Sequence, residues 1–445
     1  MKRKALCLYM ALISLLCACS GPAYGSLDEA EAGGARLGEN ISIDGVNVSG
    51  LAPSEAAARL EEAHKAALAG LRYQVRAGDE TLEISGGSLP IRFNTEEVLL
   101  KALALPAHAP SRNARALACA PYVELEPLRA ALSEQTAGLN QEPQDAVATY
   151  DPTVAGHFVF TEATPGRAVD VHGLAQALQK AVEAGDDAPL PANFTQIPPA
   201  YTAQQAQADN QLIAEFSTSF AGGTYGKKDR VFNVQKAAGL IDGTVLAPGK
   251  EFNMNETLGD RNAENGWKKA AGIREGAYVQ EYGGGVCQVS TTLYNAVLMA
   301  DLTVTERHHH SWPLGYIDAG RDATISTDGP NFCFVNSSDA PVTLGAVADT
   351  EAKTITVRIY GRPLEGGVTI AVKSKKTATL NDLGTEYTVD RSLPPGATKE
   401  VRKSRRGCIA VTWKEYYDAD GKLLKEEQVS EDKYRSIRGL VKVSS

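Results

Sequence analysis

Three consecutive glycines, Gly283 to Gly285, lead into a stretch whose apolar residues have the spacing of a helix. Glycine adopts backbone conformations that other residues avoid, so a run of glycines indicates a tight turn or a close approach of the chain. The apolar residues that follow recur every three or four positions, which predicts a helix over residues 288–301. Its buried stripe consists of Val289, Leu293, Ala296, Val297 and Ala300. The segment is therefore expected to form a glycine turn followed by a core helix.

Cys287 falls at the start of this predicted helix. Free N–H groups and the positive end of the helix dipole favour a thiolate over a thiol at that place. The glycine approach also lets a substrate backbone come close, and a nearby amide can serve as an oxyanion donor. Cys287 is therefore the predicted nucleophile.

A thiolate nucleophile needs a base, and three of the seven histidines lie together at His308, His309 and His310. The stretch from the helix end to Tyr316 has strand composition, which would place His308 and His310 on one face. Asp322 is expected on the next strand, where it can fix the tautomer of the imidazole. His310 is therefore the predicted base and Asp322 its orienting group.

Two other interpretations of these residues stay open. Cys287 can be a small buried hydrophobe and His310 a hydrogen-bonded core residue, with no chemistry at all. Alternatively, His308 and His310 form a metal-binding pair, with Glu306 or Asp322 as the third ligand. No HExxH-type spacing supports this alternative, so we predict neither a metal nor a cofactor.

Six motifs around these residues follow one family pattern in order. They occupy residues 230–233 (RVFN), 246–255 (LAPGKEFNMN), 259–261, 283–297, 306–311 and 320–324. This run resembles the VanW family, which takes its name from a gene in some vancomycin-resistance clusters. The resemblance implies a cell-wall setting and no established reaction. The order of cysteine, histidine and aspartate is also similar to the layout of transglutaminase-like and papain-like thiol enzymes.

Further residues of this central region are predicted to bind a ligand. The glycines would admit a substrate backbone, and a tryptophan can line a sugar or peptide groove. The predicted binding residues are Arg230, Asn233, Gly284, Gly285, Gln288, His308 and Trp312.

The first residues have the pattern of a secretory signal peptide, which we assign to residues 1–25. Three basic residues precede an apolar run over residues 5–16, which is too short to span a bilayer. Residues 16–19 resemble a lipobox, in which Cys19 would be acylated, and residues 23–25 fit ordinary signal cleavage. We therefore expect an extracytoplasmic cell-envelope protein that is anchored to the membrane through its signal or a lipid, or else secreted.

The chain is expected to be multidomain with an α+β fold. Residues 26–37 lack periodicity and are predicted to be a flexible spacer. Residues 38–200 contain short strands and helices, and their order resembles the peptidoglycan-binding domain that commonly precedes VanW domains. The VanW domain, also α+β, is expected over residues 210–362. Residues 366–445 are β-rich and resemble the G-five domain, a small extracellular module associated with adhesion and cell-wall glycan binding.

Charge and cysteine content narrow the set of partners. The net charge of −9 provides no basic field, so nucleic acid is not expected as a partner. The cysteines beyond the signal, Cys119, Cys287, Cys333 and Cys408, form no metal-type CxxC pair, and their spacing does not fix a disulfide. The family resemblances imply peptidoglycan as the partner. Two functions remain: a wall-binding scaffold, or a thiol-dependent peptidase or transpeptidase that acts on stem peptides.

Overall fold

A computed structural model of the chain describes residues 23–108, 115–222, 225–274 and 277–444. Residues 1–22, which hold most of the predicted signal peptide and the lipidation candidate Cys19, lie outside the described residues. Across the ranges described, no helix combines the length and the apolar character that crossing a membrane requires.

Helices and strands are interspersed along the described chain, which confirms the predicted α+β class. The helices are α1 (Leu27–Ala32), α2 (Pro53–Gly70), α3 (Thr95–Leu103), α4 (Leu125–Thr136), α5 (Val171–Ala184), α6 (Ala203–Asp209), α7 (Lys228–Ile241), α8 (Met254–Leu258) and α9 (Val286–Met299). The strands are β1 (Ile41–Ile43), β2 (Val46–Asn47), β3 (Arg72–Ala77), β4 (Glu80–Ser85), β5 (Arg92–Phe93), β6 (Arg115–Leu117), β7 (Pro121–Tyr122), β8 (Val147–Tyr150), β9 (Phe158–Thr161), β10 (Gly166–Val169), β11 (Leu190–Pro191), β12 (Phe194–Ile197), β13 (Gln211–Ser219), β14 (Val245–Leu246), β15 (Glu251–Asn253), β16 (Lys269–Arg274), β17 (Ala277–Tyr282), β18 (Thr303–Glu306), β19 (Cys333–Val335), β20 (Val342–Asp349), β21 (Thr354–Gly361), β22 (Thr369–Thr379), β23 (Thr385–Val389), β24 (Thr398–Arg402), β25 (Cys408–Tyr417), β26 (Leu423–Tyr434) and β27 (Gly439–Val443).

The chain forms two compact units. Their division differs from the predicted boundaries at the β8–β9 hairpin, and the predicted 210–362 and 366–445 domains fall together in the second unit. The first unit takes the chain up to Gln144 and then Thr164–Ala200, while the second takes Asp145–Ala163 and Tyr201–Ser445. The hairpin of β8 and β9 therefore belongs to the second unit, although it lies inside the predicted 38–200 domain. The reason is a specific contact, because the Tyr150 hydroxyl donates to Asp242 at 2.9 Å.

The first unit has small sheets and two apolar clusters. Its sheets have the strand orders β2-β1-β6 and β11-β3-β4, with the pairs β5-β7 and β10-β12. One cluster lies around α4 and α5 and contains Leu128, Leu132, Leu174 and Leu178, all buried. A second cluster, with Leu60 of α2 and Leu99 of α3, is equally buried.

Residues 26–37 differ from the predicted flexible spacer. They contain α1, which begins at a Ser26 side chain that accepts the N–H of Glu29 at 3.2 Å. Ala30 and Leu37 are buried in the cluster that also holds Leu60. The small residues of this segment pack against the first unit, so burial rather than periodicity gives the segment its order.

The second unit is organised around a four-stranded sheet with the order β13-β21-β20-β14. The helices α7 and α9 contact this sheet, and their apolar residues share one core with it. The C-terminal part of the unit consists of two sheets, β22-β25-β26 and β23-β27-β24. In β25 every second residue is buried, as in a strand with one solvated face.

The helix α9 is buried on every side rather than along one stripe. The predicted stripe residues of α9 are all buried, and so are its polar residues Gln288, Ser290, Thr291, Thr292 and Asn295. Polar groups in such a place must be hydrogen-bonded, because their desolvation is otherwise not compensated. The partners of these side chains position the candidate site.

Candidate active site

Cys287 is the second residue of α9 and lies in the wall of a cavity of about 680 Å³. Its side chain is half-buried, whereas the residues on either side of it are buried. The turn before it requires glycine at two points, since Gly283 has a φ of +74° and Gly285 a φ of +112°. At Gly284, a Cβ atom would lie 2.4 Å from the carbonyl oxygen of Ala270. Close packing therefore accounts for the glycine run.

Asn233 of α7 holds this turn in place. Its side-chain amide donates to the carbonyl oxygens of Lys268 at 2.9 Å and of Gly284 at 3.0 Å, and its oxygen accepts the N–H of Lys268 at 2.9 Å. Asn233 is fully buried. It therefore supports the start of α9 and does not reach the cavity.

The polar side chains of α9 fasten the segment that carries Asp322. Ser290 Oγ donates to the carbonyl oxygen of Ala323 at 2.6 Å, and Thr291 Oγ1 accepts the N–H of Ala323 at 3.0 Å. One turn further on, Asn295 donates to the carbonyl oxygen of Arg321 at 2.8 Å. Asp322 is thereby held on both sides by hydrogen bonds to the helix that presents Cys287.

His310 and Asp322 form a buried pair. His310 Nδ1 lies 2.6 Å from Asp322 Oδ2, and the backbone N–H of His310 donates to the same oxygen at 2.7 Å. With Nδ1 donating to the carboxylate, Nε2 remains as the nitrogen for the Cys287 side chain, with which His310 interacts. The thiol sulfur also lies 3.4 Å from the carbonyl oxygen of Ile325.

Neither His310 nor Asp322 is on a strand, which corrects the predicted local structure. The strand β18 ends at Glu306, and no regular element covers residues 307–332. The Asp322 carboxylate accepts a hydrogen bond from the N–H of His310, and Thr324 donates its N–H to the carbonyl oxygen of His308 at 2.8 Å. Two irregular segments thus bind each other mainly through side chains. His308 is exposed and His310 is buried, so the two side chains do not share a face.

The three groups shift one another's protonation. Burial raises the pKa of Cys287, but the hydrogen bond and the charge of His310 more than offset this, and the pKa is lowered overall. Burial lowers the pKa of His310, but Asp322 and Cys287 raise it to about 9. Although burial raises the pKa of Asp322, His310 and Arg307 hold it well below its usual value. The arrangement favours a thiolate, an imidazolium and a carboxylate in a row.

Two residues beside this row were not predicted from the sequence. Arg307 donates through Nε to the carbonyl oxygen of Asp322 at 2.7 Å, and Tyr434 donates its hydroxyl to Asp322 Oδ1. Arg307 directly precedes the histidine cluster. Because a buried carboxylate needs a positive charge nearby, Arg307 could have been predicted from the sequence as a partner of Asp322. Tyr434 lies in the C-terminal domain, and nothing in its sequence context indicates this contact.

The predicted binding residues divide into two groups. Those that line the cavity are Arg230, Gly284, Gly285 and Gln288. The others are placed differently: Asn233 supports the turn, His308 is exposed and lies 3.0 Å from Glu306, and Trp312 is buried beneath the Arg405 guanidinium. That the first group binds a ligand stays a prediction.

Among the residues that the structure describes, one group could offer three ligand atoms to a metal: Asp44, His64 and Cys119 in the first unit. These residues already bond to one another, with His64 Nε2 at 2.8 Å from Asp44. Burial and Asp44 raise the pKa of Cys119 to about 12, which keeps the thiol protonated and disfavours it as a ligand. Cys119, Cys287, Cys333 and Cys408 are all free thiols.

The cysteines should differ sharply in reactivity. Iodoacetamide at pH 7 is expected to modify Cys287 well before Cys119, Cys333 or Cys408, because only the pKa of Cys287 is lowered. Peptide mapping by mass spectrometry measures each rate. In the variant His310→Ala, modification of Cys287 should slow while the other three rates stay unchanged. Equal rates at all four cysteines would contradict the assigned thiolate.

Comparison with known proteins identifies two domains. Residues 229–360 match the family described as "VanW like protein", and residues 84–191 match the family described as "Putative peptidoglycan binding domain". The chain is 38% identical over 145 residues to "Uncharacterized protein YoaR" of Bacillus subtilis, a match that covers 32% of this chain and 48% of that protein. It is 27% identical over 130 residues to "Vancomycin B-type resistance protein VanW" of Enterococcus faecalis, with 28% and 47% covered. The chain thus spans about half the length of these curated relatives.

Solved structures that are similar to parts of the chain include the IgA1 protease G5 domain and a mutant of the Enterococcus faecium L,D-transpeptidase. The first has 12% identity and a TM-score of 0.14, and the match covers 18% of this chain and 89% of the domain. The second has 11% identity and a TM-score of 0.17, with 50% and 75% covered. The family matches confirm the predicted recognition: this is a cell-wall-associated protein that carries a VanW-like domain over residues 229–360 and a domain of the peptidoglycan-binding family over residues 84–191.

Proposed function

We propose that this protein acts outside the cytoplasm, binds peptidoglycan, and cuts or rejoins peptide bonds in the wall stem peptides through Cys287. His310 is the base and Asp322 orients it. The observation that carries the proposal is the 2.6 Å contact of His310 Nδ1 with Asp322, beside a half-buried thiol whose pKa is lowered by the same histidine. A nucleophile, a base and a third group that orients the base are the parts that thiol catalysis needs.

The chemistry uses these groups in sequence. The Cys287 sulfur attacks a peptide carbonyl carbon, and the proton from the thiol resides on His310 Nε2. When the carbon–nitrogen bond breaks, the imidazolium gives this proton to the leaving amine, and a thioester to Cys287 remains. Water or a second amine then attacks the thioester and gives a proton to His310, and the carbon–sulfur bond breaks to restore the Cys287 thiolate, with release of an acid or of a new peptide. The first outcome is hydrolysis and the second is transpeptidation.

The helix start supplies a place for the negative charge that develops on the carbonyl oxygen. The first N–H groups of a helix have no partner within the helix, and Cys287 is the second residue of α9. Its own N–H can therefore donate to an oxyanion beside the sulfur. Arg261, which is close enough to Cys287 to interact with its charge, adds a positive field on the same side.

The cavity and the neighbouring domain support a peptide of the cell wall as the substrate. A volume of about 680 Å³ falls within the range of ligand-binding clefts, and the lining mixes charged groups with Tyr225, Leu314 and Tyr316. Such a lining suits a peptide, which has both polar backbone groups and apolar side chains. The match of residues 84–191 to a peptidoglycan-binding family supports delivery of this protein to the wall.

Muropeptides should change in mass when they are incubated with the protein. We expect mass spectrometry to show peptides that have lost or exchanged a residue, and the variant Cys287→Ala to produce none of these species. Cys119→Ala is the matched control, because this thiol is buried in the first unit, whereas Cys287 belongs to the second, and the change should leave the products unaltered. Identical product patterns for the wild type and Cys287→Ala would support a scaffold that only binds.

The activity should depend on pH with a bell shape. The value of kcat/KM is expected to rise as Cys287 loses its proton, at a pH below the usual range of a thiol, and to fall near pH 9 as His310 loses its proton. In Asp322→Asn the imidazolium loses its anionic partner, so the falling limb should move to lower pH. We expect kcat to drop by a factor on the order of 10²–10⁴ as well. An unchanged falling limb would contradict the role of Asp322.

The full chain should sediment with purified sacculi, and the inactive variant Cys287→Ala should sediment equally well. Binding is expected to reside partly in the peptidoglycan-binding family domain, which does not contain Cys287. The fraction of protein in the pellet measures it. Failure of both proteins to sediment would count against wall binding as part of the function.

A further inference from the structure

The last residue of β26, Tyr434, inserts its hydroxyl into the candidate site. The side chain is fully buried. Its oxygen accepts the N–H of Gly320 at 2.7 Å and its hydrogen is donated to Asp322 Oδ1. Tyr434 therefore contacts the carboxylate oxygen that His310 does not use.

We propose that Tyr434 is a positioning residue of the Cys287 site, and that the C-terminal β-domain (residues 366–444) is thereby a working part of this site. The inference rests on the proposed function for its consequence in catalysis. It differs from the sequence-based expectation of an independent wall-binding module, because a residue of this domain completes the surroundings of Asp322.

Asp322 needs outside support because of where it lies. Its segment has no regular secondary structure, so a ladder of backbone hydrogen bonds does not fix its orientation. One carboxylate oxygen accepts two bonds from His310. The other oxygen accepts the Tyr434 hydroxyl, and the nearest guanidinium nitrogen of Arg307 is farther away, at 3.5 Å. The tyrosine is therefore the main donor to Oδ1, and together with the two bonds from His310 to Oδ2 it restrains rotation of the carboxylate.

A second contact ties the same domain to the site. Asp432 accepts two bonds from Arg307 Nη1, at 2.8 and 2.7 Å, and the side chains of both residues are buried. Arg307 in turn donates through Nε to the carbonyl oxygen of Asp322. Two residues of β26 thus act on Asp322, one directly and one through an arginine.

The C-terminal domain also contacts the segment of Asp322 without binding the Asp322 carboxylate. Thr412 of β25 donates to the carbonyl oxygen of Gly320 at 2.9 Å, and this oxygen keeps Arg307 as a second donor at 3.2 Å. Thr412 is buried like Tyr434. A change at Thr412 therefore weakens the same interface without removing a bond to the carboxylate.

The charged and titratable groups around Asp322 and around Cys287 determine how alkylation of Cys287 depends on pH. Asp322 faces His310, Arg307 and Tyr434, while Cys287 faces His310, Arg261 and Tyr316. The other charged side chains that line the cavity are Arg230, Lys269, Glu281 and Asp328. Substitutions at Tyr434, Thr412 or Asp432 leave the groups that face Cys287 unchanged.

The test measures alkylation of Cys287 against pH in the full chain, in the wild type, Tyr434→Phe and Thr412→Val. Mass spectrometry of the Cys287 peptide gives the rate without any substrate. In Tyr434→Phe the carboxylate is less well aimed at the imidazolium, which then stabilises the thiolate less. We expect the midpoint pH to rise by about one unit, equivalent to roughly tenfold less thiolate below the midpoint. Thr412→Val should keep the wild-type midpoint.

Three results would overturn the proposal. One is an unchanged midpoint in Tyr434→Phe, which would leave the ring with a packing role only. Another is a midpoint that falls in Tyr434→Phe, because loss of the hydroxyl would then only have made the Asp322 carboxylate a stronger acceptor for His310. The third is an equal rise in Thr412→Val, which would attribute the effect to docking of the domain in general.

Asp432→Asn keeps the proposal testable if Tyr434→Phe does not fold. It removes the charged partner of Arg307, and we expect the midpoint pH of alkylation to rise by less than one unit. The unfolding temperature of this variant should be close to that of Thr412→Val. An unchanged midpoint in this variant would then overturn the proposal. If muropeptides are not processed but the midpoint shifts as expected, the proposed function fails and the positioning of Asp322 by Tyr434 stands.

Discussion

The hydrogen bond between His310 and the buried carboxylate of Asp322 is the interaction on which the rest of the site depends. A carboxylate that is removed from water is costly unless donors and an opposite charge surround it. Here these are the imidazole, the backbone N–H of His310, the guanidinium of Arg307 and the hydroxyl of Tyr434. The site thus draws its donors from segments that are far apart in sequence.

The buried helix α9 explains how this arrangement is held. Its first turn presents Cys287, and the polar side chains that follow bind the backbone on both sides of Asp322. A helix with an apolar stripe alone would serve as core and leave this backbone without partners. The same helix therefore carries the nucleophile and sets the distance to the group that orients the base. The close-packed glycine turn fixes where the helix begins.

The sequence allowed part of this arrangement to be predicted. The spacing of Val289, Leu293 and Ala296 indicated a helix, and the helix is present, beginning two residues earlier than expected. The strand expected around His310 is absent, because the backbone there bonds to side chains and not to a neighbouring strand. The order of residues along the chain suggested which groups could form the site, but it did not reveal which face each one takes. His308 and His310 show this most clearly, since one is exposed and the other buried.

By itself, the sequence determined the VanW-like domain, the peptidoglycan-binding family domain and the position of Cys287 at the start of a helix, because local spacing and motif order encode these features. Only the tertiary structure decided that Tyr434 contacts Asp322, across 112 residues of chain. It also decided that Arg307 bridges Asp322 and Asp432. The physical reason is that a buried carboxylate accepts whichever donors the packed domains bring to it. That choice depends on the relative placement of β26 and the irregular segment, which no local pattern of residues specifies.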